Sequence, residues 1–140
     1  MNDEFNLERF IEAQKSDYDR ALEEIKNGKK HSHWMWYIFP QYKNLGISEI
    51  SKRYAIQSKE EALSYFNHPI LGKRLHEITL AFLSTENKSA FEILGSPDHF
   101  KMKSCMTLFH LAQNETDLFK KVIDVFYKVS LCDKTKKNLN

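Results

Sequence analysis

The stretch KKHSHWMWYIFPQ, Lys29 to Gln41, decides how the chain is read. Two lysines and two histidines run into Trp34–Phe39, a segment that is apolar at every position. Periodicity alone cannot separate helix from strand in such a run. No neighbouring segment alternates apolar and polar residues long enough to supply a partner strand. The run is therefore expected to be a short buried helix. Pro40 disfavours helical dihedrals at Phe39 and ends it.

Working outward, helical spacing recurs on both sides. Leu7, Phe10, Ile11, Tyr18, Ala21, Leu22 and Ile25 form one apolar face, with a bend near Gln14 to Ser16. Asn6 is the expected N-cap and Asn27-Gly28 the stop. Ser48 is expected to cap a short helix, and Ser58 with Glu61 to form a capping box. Pro69 suits the first turn of a helix reaching about Leu83. A short helix follows from Ser89 to Leu94, stopped by Gly95, and Ser96-Pro97-Asp98 starts the next one. Asn114 or Thr116 caps the last helix. The expected fold is all-α: one compact array of about six to eight helices over residues 1–140, frayed at about 1–5 and 132–140.

Composition agrees. With 140 residues, 41% apolar and 29% charged, the chain can bury a core of its own. Four Gly and three Pro favour regular elements over a turn-rich β fold. A net charge of +2 argues against nucleic acid as partner. No apolar run approaches the length of a membrane span, and the acidic N-terminus has no signal-peptide h-region. Cys105 reads as a small buried hydrophobe, and with Cys132 it forms no disulfide framework. The protein is expected to be soluble and cytoplasmic.

Three segments could carry chemistry. In the first, His33 could act as an acid or base and Trp34 or Trp36 as a stacking wall. His31-x-His33 by itself is a poor metal motif, because a site needs three or four ligands. The second, GSPDHFKMKSCMTLFH from Gly95 to His110, starts a helix whose first N–H groups could hold an anion. It carries Asp98, Lys101, Ser104 and Thr107 on polar faces. The third, FNHPILGKRLHE, is accounted for by helix capping at His68. No phosphate-binding glycine loop, serine-hydrolase elbow or zinc-protease motif is present.

Several segments in order resemble the bacterial family known as domain of unknown function 1810, sometimes mislabelled calpastatin. They are LERFIEAQ, YDRALEEIKNGKKHSHWMWYIFPQ, SKRYAI, EALSYFNHPILGKRL and ILGSPDHFKMKSCMTLFHLA, which together span about Leu7 to Phe126. The resemblance implies a single all-helical domain and supplies no activity, substrate or cofactor. Matching positions that a core does not demand include His33, Gln41, Arg53, Asp98, Lys101, Ser104 and Thr107. The resulting expectation is a small anionic ligand, a nucleotide or phosphorylated metabolite. It would lie in a cleft edged by His33 and the helix starting at Ser96. Catalysis would fall to His33, and binding to Trp34, Trp36, Gln41, Arg53, Asp98, Lys101, Ser104 and Thr107. The alternative is a protein-interaction module without catalytic activity.

Overall fold

A computed structural model describes residues 3–85 and 87–127. Among them the chain forms nine helices and no strands: α1 (Glu8–Gln14), α2 (Tyr18–Lys26), α3 (Met35–Ile38), α4 (Glu49–Arg53), α5 (Lys59–Asn67), α6 (Leu71–Leu83), α7 (Ala90–Leu94), α8 (Asp98–Ala112) and α9 (Leu118–Tyr127). The count exceeds the expected six to eight, partly because the bend near Gln14 is a complete break between α1 and α2. Cys132 and the basic tail lie outside the described residues.

α8 is the centre of the array, packed by α5, α7 and α9, while α6 contacts α2, α5 and α9. Met102, Cys105, Met106, Leu108 and Phe109 of α8 are fully buried. Each large apolar side chain buried this way contributes about 1.5–3 kcal/mol relative to exposure. A chain of ring contacts links the layers: Phe10 to Tyr65 at 5.1 Å, Tyr65 to Phe109 at 5.4 Å and Phe109 to Phe119 at 5.7 Å. Cys105 has the expected place, and burial pushes its thiol pKa well up. Gly72 lets α6 approach the end of α5, because a Cβ there would meet the Phe66 carbonyl oxygen at 2.0 Å.

The helix ends follow local chemistry, with two corrections. Ser48 caps α4 and Thr116 caps α9 as expected. Gly28 (φ +76°) follows the C-cap of α2, and Gly95 (φ +79°) caps α7. Asn6, however, does not cap α1. The Asp3 carboxylate accepts from the Leu7 and Glu8 N–H groups instead, at 2.7 and 3.0 Å. The Ser58 box is only half made: Ser58 accepts from the Glu61 N–H, but the Glu61 carboxylate turns to Arg9 and the Gln57 N–H. The complete capping box belongs to Ser89 and Glu92.

Candidate functional site

The site is built around Gln41, three residues beyond α3. Its carbonyl accepts from the Ile56 N–H at 2.8 Å, and the Ile56 carbonyl accepts from the Lys43 N–H at 2.9 Å. This short parallel bridge pins the chain after Pro40 against the segment after α4. Arg9 fixes that segment from behind. Its guanidinium donates to the carbonyls of Arg53 and Ala55 and pairs with the buried Glu61 at 2.8 Å.

Between the two bridged stretches the chain loops over Trp36. Asn44 takes a left-handed conformation (φ +69°), which Asn tolerates better than most residues. Gly46 then lies so close to Trp36 and Ser51 that a Cβ there would be within 2.8 Å of both. On the opposite side stands α8. Lys101 places its ammonium 4.3 Å from the Trp36 ring centroid and pairs with Asp98 at 3.0 Å. Lys30 reaches the other oxygen of Asp98 at 2.8 Å and lies 5.1 Å from Trp34. Partial burial works against the Asp98 anion, but the two lysines outweigh it and hold its carboxyl below the ordinary range. Two cations share one carboxylate, so the cluster keeps one positive charge.

Two cavities meet at Trp36, Gln41, Leu45 and Gly46. One, of about 300 Å³, is walled by polar residues that include Lys43, Asn44, Ser51, Lys52 and Gln57. The other, of about 420 Å³, is walled by Ile47, Ser48, Pro97, Phe100, Lys101 and Ser104. Residues from the Lys29–Gln41 and Gly95–His110 segments thus line one cleft. Among the described residues no Asp or Glu lines either chamber. Gln41 is 4% exposed, and its side-chain Nε2 has no hydrogen-bond partner among the described residues. A buried donor left this way costs on the order of 1–3 kcal/mol. Thr79 Oγ1 is also buried without a partner, but Thr79 lines neither chamber.

The expected site residues divide accordingly. Trp36, Gln41, Lys101 and Ser104 line the cleft, with Asp98 behind Lys101. Trp34 is buried, and its indole N–H donates to Glu24. Thr107 is fully buried and donates to the Lys103 carbonyl at 2.8 Å. Arg53 is exposed, its guanidinium 5.6 Å from the Tyr54 ring. The His33 side chain is exposed and borders neither chamber. The first N–H groups of α8 are turned inward: His99 donates to Gly95, and Phe100 and Lys101 donate to Pro97. Those three amides are therefore not free for an anion. His68 is a capping residue as expected, its Nδ1 accepting from the Ile70 and Leu71 N–H groups. Among the described residues no three His, Cys, Asp or Glu side chains come together as a metal site would require.

Sequence reading takes Gly46 only as a turn and gives Lys43 and Lys52 no role in a site. It also passed over Glu24. That carboxylate accepts from the N–H groups of His31 (2.8 Å) and Ser32 (3.0 Å), the Ser32 hydroxyl (2.6 Å) and the Trp34 indole (3.0 Å). Partial burial pushes its pKa up, but the donors prevail and bring it to about 2. The basic segment before α3 is thereby folded onto α2.

The fold and cleft define a class: an all-helical domain with one aromatic-walled, lysine-bearing cleft at its edge. The chain belongs to the family described as Protein of unknown function (DUF1810), which it matches over residues 4–139. It is similar to the crystal structure of the conserved hypothetical protein Rv1873 from Mycobacterium tuberculosis. The TM-score is 0.96 and the identity 40%, covering 98% of this chain and 98% of that one. No curated protein matches the chain. No helix among the described residues is long and apolar enough to cross a membrane.

Proposed function

We propose that the chain binds a small anionic molecule in the cleft where Trp36 and Gln41 face the first turns of α8. The observation that carries this reading is the Gln41 amide: a buried donor without an acceptor, in the wall shared by two cavities. An acceptor brought by a ligand removes the cost of leaving that donor unmet. The lysines on both sides and the lack of acidic lining among the described residues favour an anion. Polar groups converging in a cleft of this size are the usual form of a small-molecule site.

The test is a thermal-shift screen of untagged protein against inorganic phosphate, pyrophosphate, nucleotides and phosphorylated sugars. A ligand at 100 times its Kd adds about 2.7 kcal/mol of stability. The expected result is a stabilising compound whose effect disappears in Gln41→Leu while that variant stays folded. A shift retained in Gln41→Leu and in Lys101→Ala overturns the reading, as does no shift at all. The second reading, a protein-interaction surface, rests on Ile47 and Phe100 at the rim, which are 93% and 62% exposed.

A further inference from the structure

The two chambers differ in chemistry, and the difference specifies more than an anion. The smaller one carries Lys43 and Lys52, neither of which has an ion pair among the described residues. Ser51 and Gln57 add polar side chains to its wall. The larger one is apolar at Ile47, Pro97 and Phe100, with Lys101 its only charged lining residue among those described. Trp36 and Gln41 belong to both. A single compact anion would satisfy the first chamber and leave the second empty. A purely apolar ligand would leave the two lysines without a counter-charge.

Building on the cleft proposed above, we infer that its ligand is a nucleoside monophosphate, with the phosphate in the Lys43–Lys52 chamber and the base in the Phe100 chamber. A phosphomonoester carries about −1.5 to −2 charges at neutral pH, which two lysines match. Its oxygens are acceptors for lysine ammonium groups and for a glutamine amide. A planar base suits a wall made of Trp36, Phe100 and Pro97, because every base has a π face that stacks on an aromatic ring. Cavities of about 300 and 420 Å³ fall in the range of small-ligand sites. The exposure of Phe100 and Ile47 is explained by the same reading: they form a rim that a bound base covers.

The experiment is calorimetric titration of the full chain with AMP, GMP, CMP and UMP, with the four matching nucleosides, and with ribose 5-phosphate. At least one monophosphate should bind about tenfold or more tightly than both its nucleoside and ribose 5-phosphate. Lys43→Ala/Lys52→Ala should remove the advantage of the phosphate and leave nucleoside binding unchanged. Phe100→Ala should remove the advantage of the base and leave ribose 5-phosphate binding unchanged. These side chains are exposed or partly exposed, so the variants should fold, which a thermal melt checks. If ribose 5-phosphate binds as tightly as every monophosphate and Gln41→Leu abolishes it, the two-part ligand is overturned and the anion cleft stands. If a monophosphate binds but is indifferent to Phe100→Ala, the base assignment is overturned. If nothing in the panel binds, this inference and the cleft reading both fall.

Discussion

Gln14 and Gln41 are both buried, at 2% and 4% exposure, yet their amides are treated in opposite ways. The Gln14 amide donates to the Tyr37 carbonyl at 2.8 Å and the Tyr65 hydroxyl at 3.0 Å, and it accepts from Arg74 at 3.3 Å. The third buried glutamine, Gln113, is equally well supplied by Phe109, Glu115 and Thr116. Gln41 Nε2 has no partner among the described residues. Buried polar groups in native proteins are overwhelmingly paired, so an exception beside a cavity asks for an explanation. The lesson is that burial and residue type do not separate a glutamine whose amide is fully paired from one whose amide is not. The inventory of partners does. The same contrast holds more widely: the polar groups around α2, before α3 and about Arg9 are paired with one another, whereas Lys43 and Lys52 line a chamber with no ion pair among the described residues.

Breaking the closed side should cost most. Arg9→Ala removes the partner of Glu61, whose side chain is 2% exposed, and frees the carbonyls of Arg53 and Ala55. Leaving a buried charge unpaired costs about 3–5 kcal/mol. Urea unfolding should show that loss, and ligand affinity should fall too, since Arg9 holds the segment to which Gln41 is bridged. A smaller effect is expected for Glu24→Gln. It replaces a carboxylate that takes four donors, and hydrogen bonds to charged groups are worth about 1.5–3 kcal/mol each. The glutamine cannot accept as many donors, so a loss of about 2 kcal/mol is expected.

Glu24 also gives the comparison a pH axis. Its folded pKa of about 2 lies below the ordinary value of 4.5. The folded state therefore binds the proton less readily than the unfolded state. The stabilisation from this depressed pKa is fully present above about pH 4.5 and is lost as pH falls through about 2. The difference in stability between the wild-type chain and Glu24→Gln should be constant near neutrality and shrink across that window. Unfolding curves collected at several pH values check it. A difference unchanged down to pH 2 would mean that the four donors do not act through the charge.

The two glutamines give the sharpest pair. Gln14→Leu leaves the Tyr37 carbonyl and Arg74 short of a partner in the core, at a cost of about 1–3 kcal/mol. Gln41→Leu removes a donor that has no partner among the described residues, and should raise stability by about 1 kcal/mol or more. Opposite signs for the same substitution at two equally buried sites would confirm that Gln41 is kept at the expense of stability, a common mark of functional positions. Two losses of equal size would mean that Gln41 is an ordinary core residue.

How much of this was legible beforehand depends on the range of the interaction. The helices were, because apolar spacing and capping residues act within one or two turns: Gly28, Ser48, Gly95 and Thr116 mark ends where the structure has them. The short helix at α3 was legible for a subtler reason, the lack of any strand to pair with it. What failed was choice among nearby groups of similar chemistry. Asp3 rather than Asn6 supplies the α1 cap, because its carboxylate reaches two N–H groups at once. Glu61 leaves its capping box because Arg9, 52 positions earlier in the chain, offers a charge. The cleft was half legible. Trp36, Gln41, Lys101 and Ser104 stand out as polar or aromatic residues at the edges of apolar segments. Lys43 and Lys52 do not, since nothing local distinguishes a lysine facing a cavity from one facing water.

His33 is the smallest and last break in the comparison. It sits at the junction of the closed and open sides, just before α3, and the sequence makes it the natural acid or base. Its side chain is exposed and borders neither chamber, while its carbonyl lies 3.2 Å from the Tyr37 hydroxyl. A backbone contact survives substitution, so His33→Ala should change stability by no more than about 0.5 kcal/mol. Affinity for whatever fills the cleft should be unchanged, because the proposed recognition runs through Gln41 and the lysines. If His33→Ala instead leaves the fold intact and abolishes binding, the imidazole must reach the ligand from outside the cleft. The chamber boundary drawn at Trp36 would then have to extend back toward Ser32. Titrating the His33 ring by NMR, with and without ligand, would show whether its proton affinity changes as a direct contact requires.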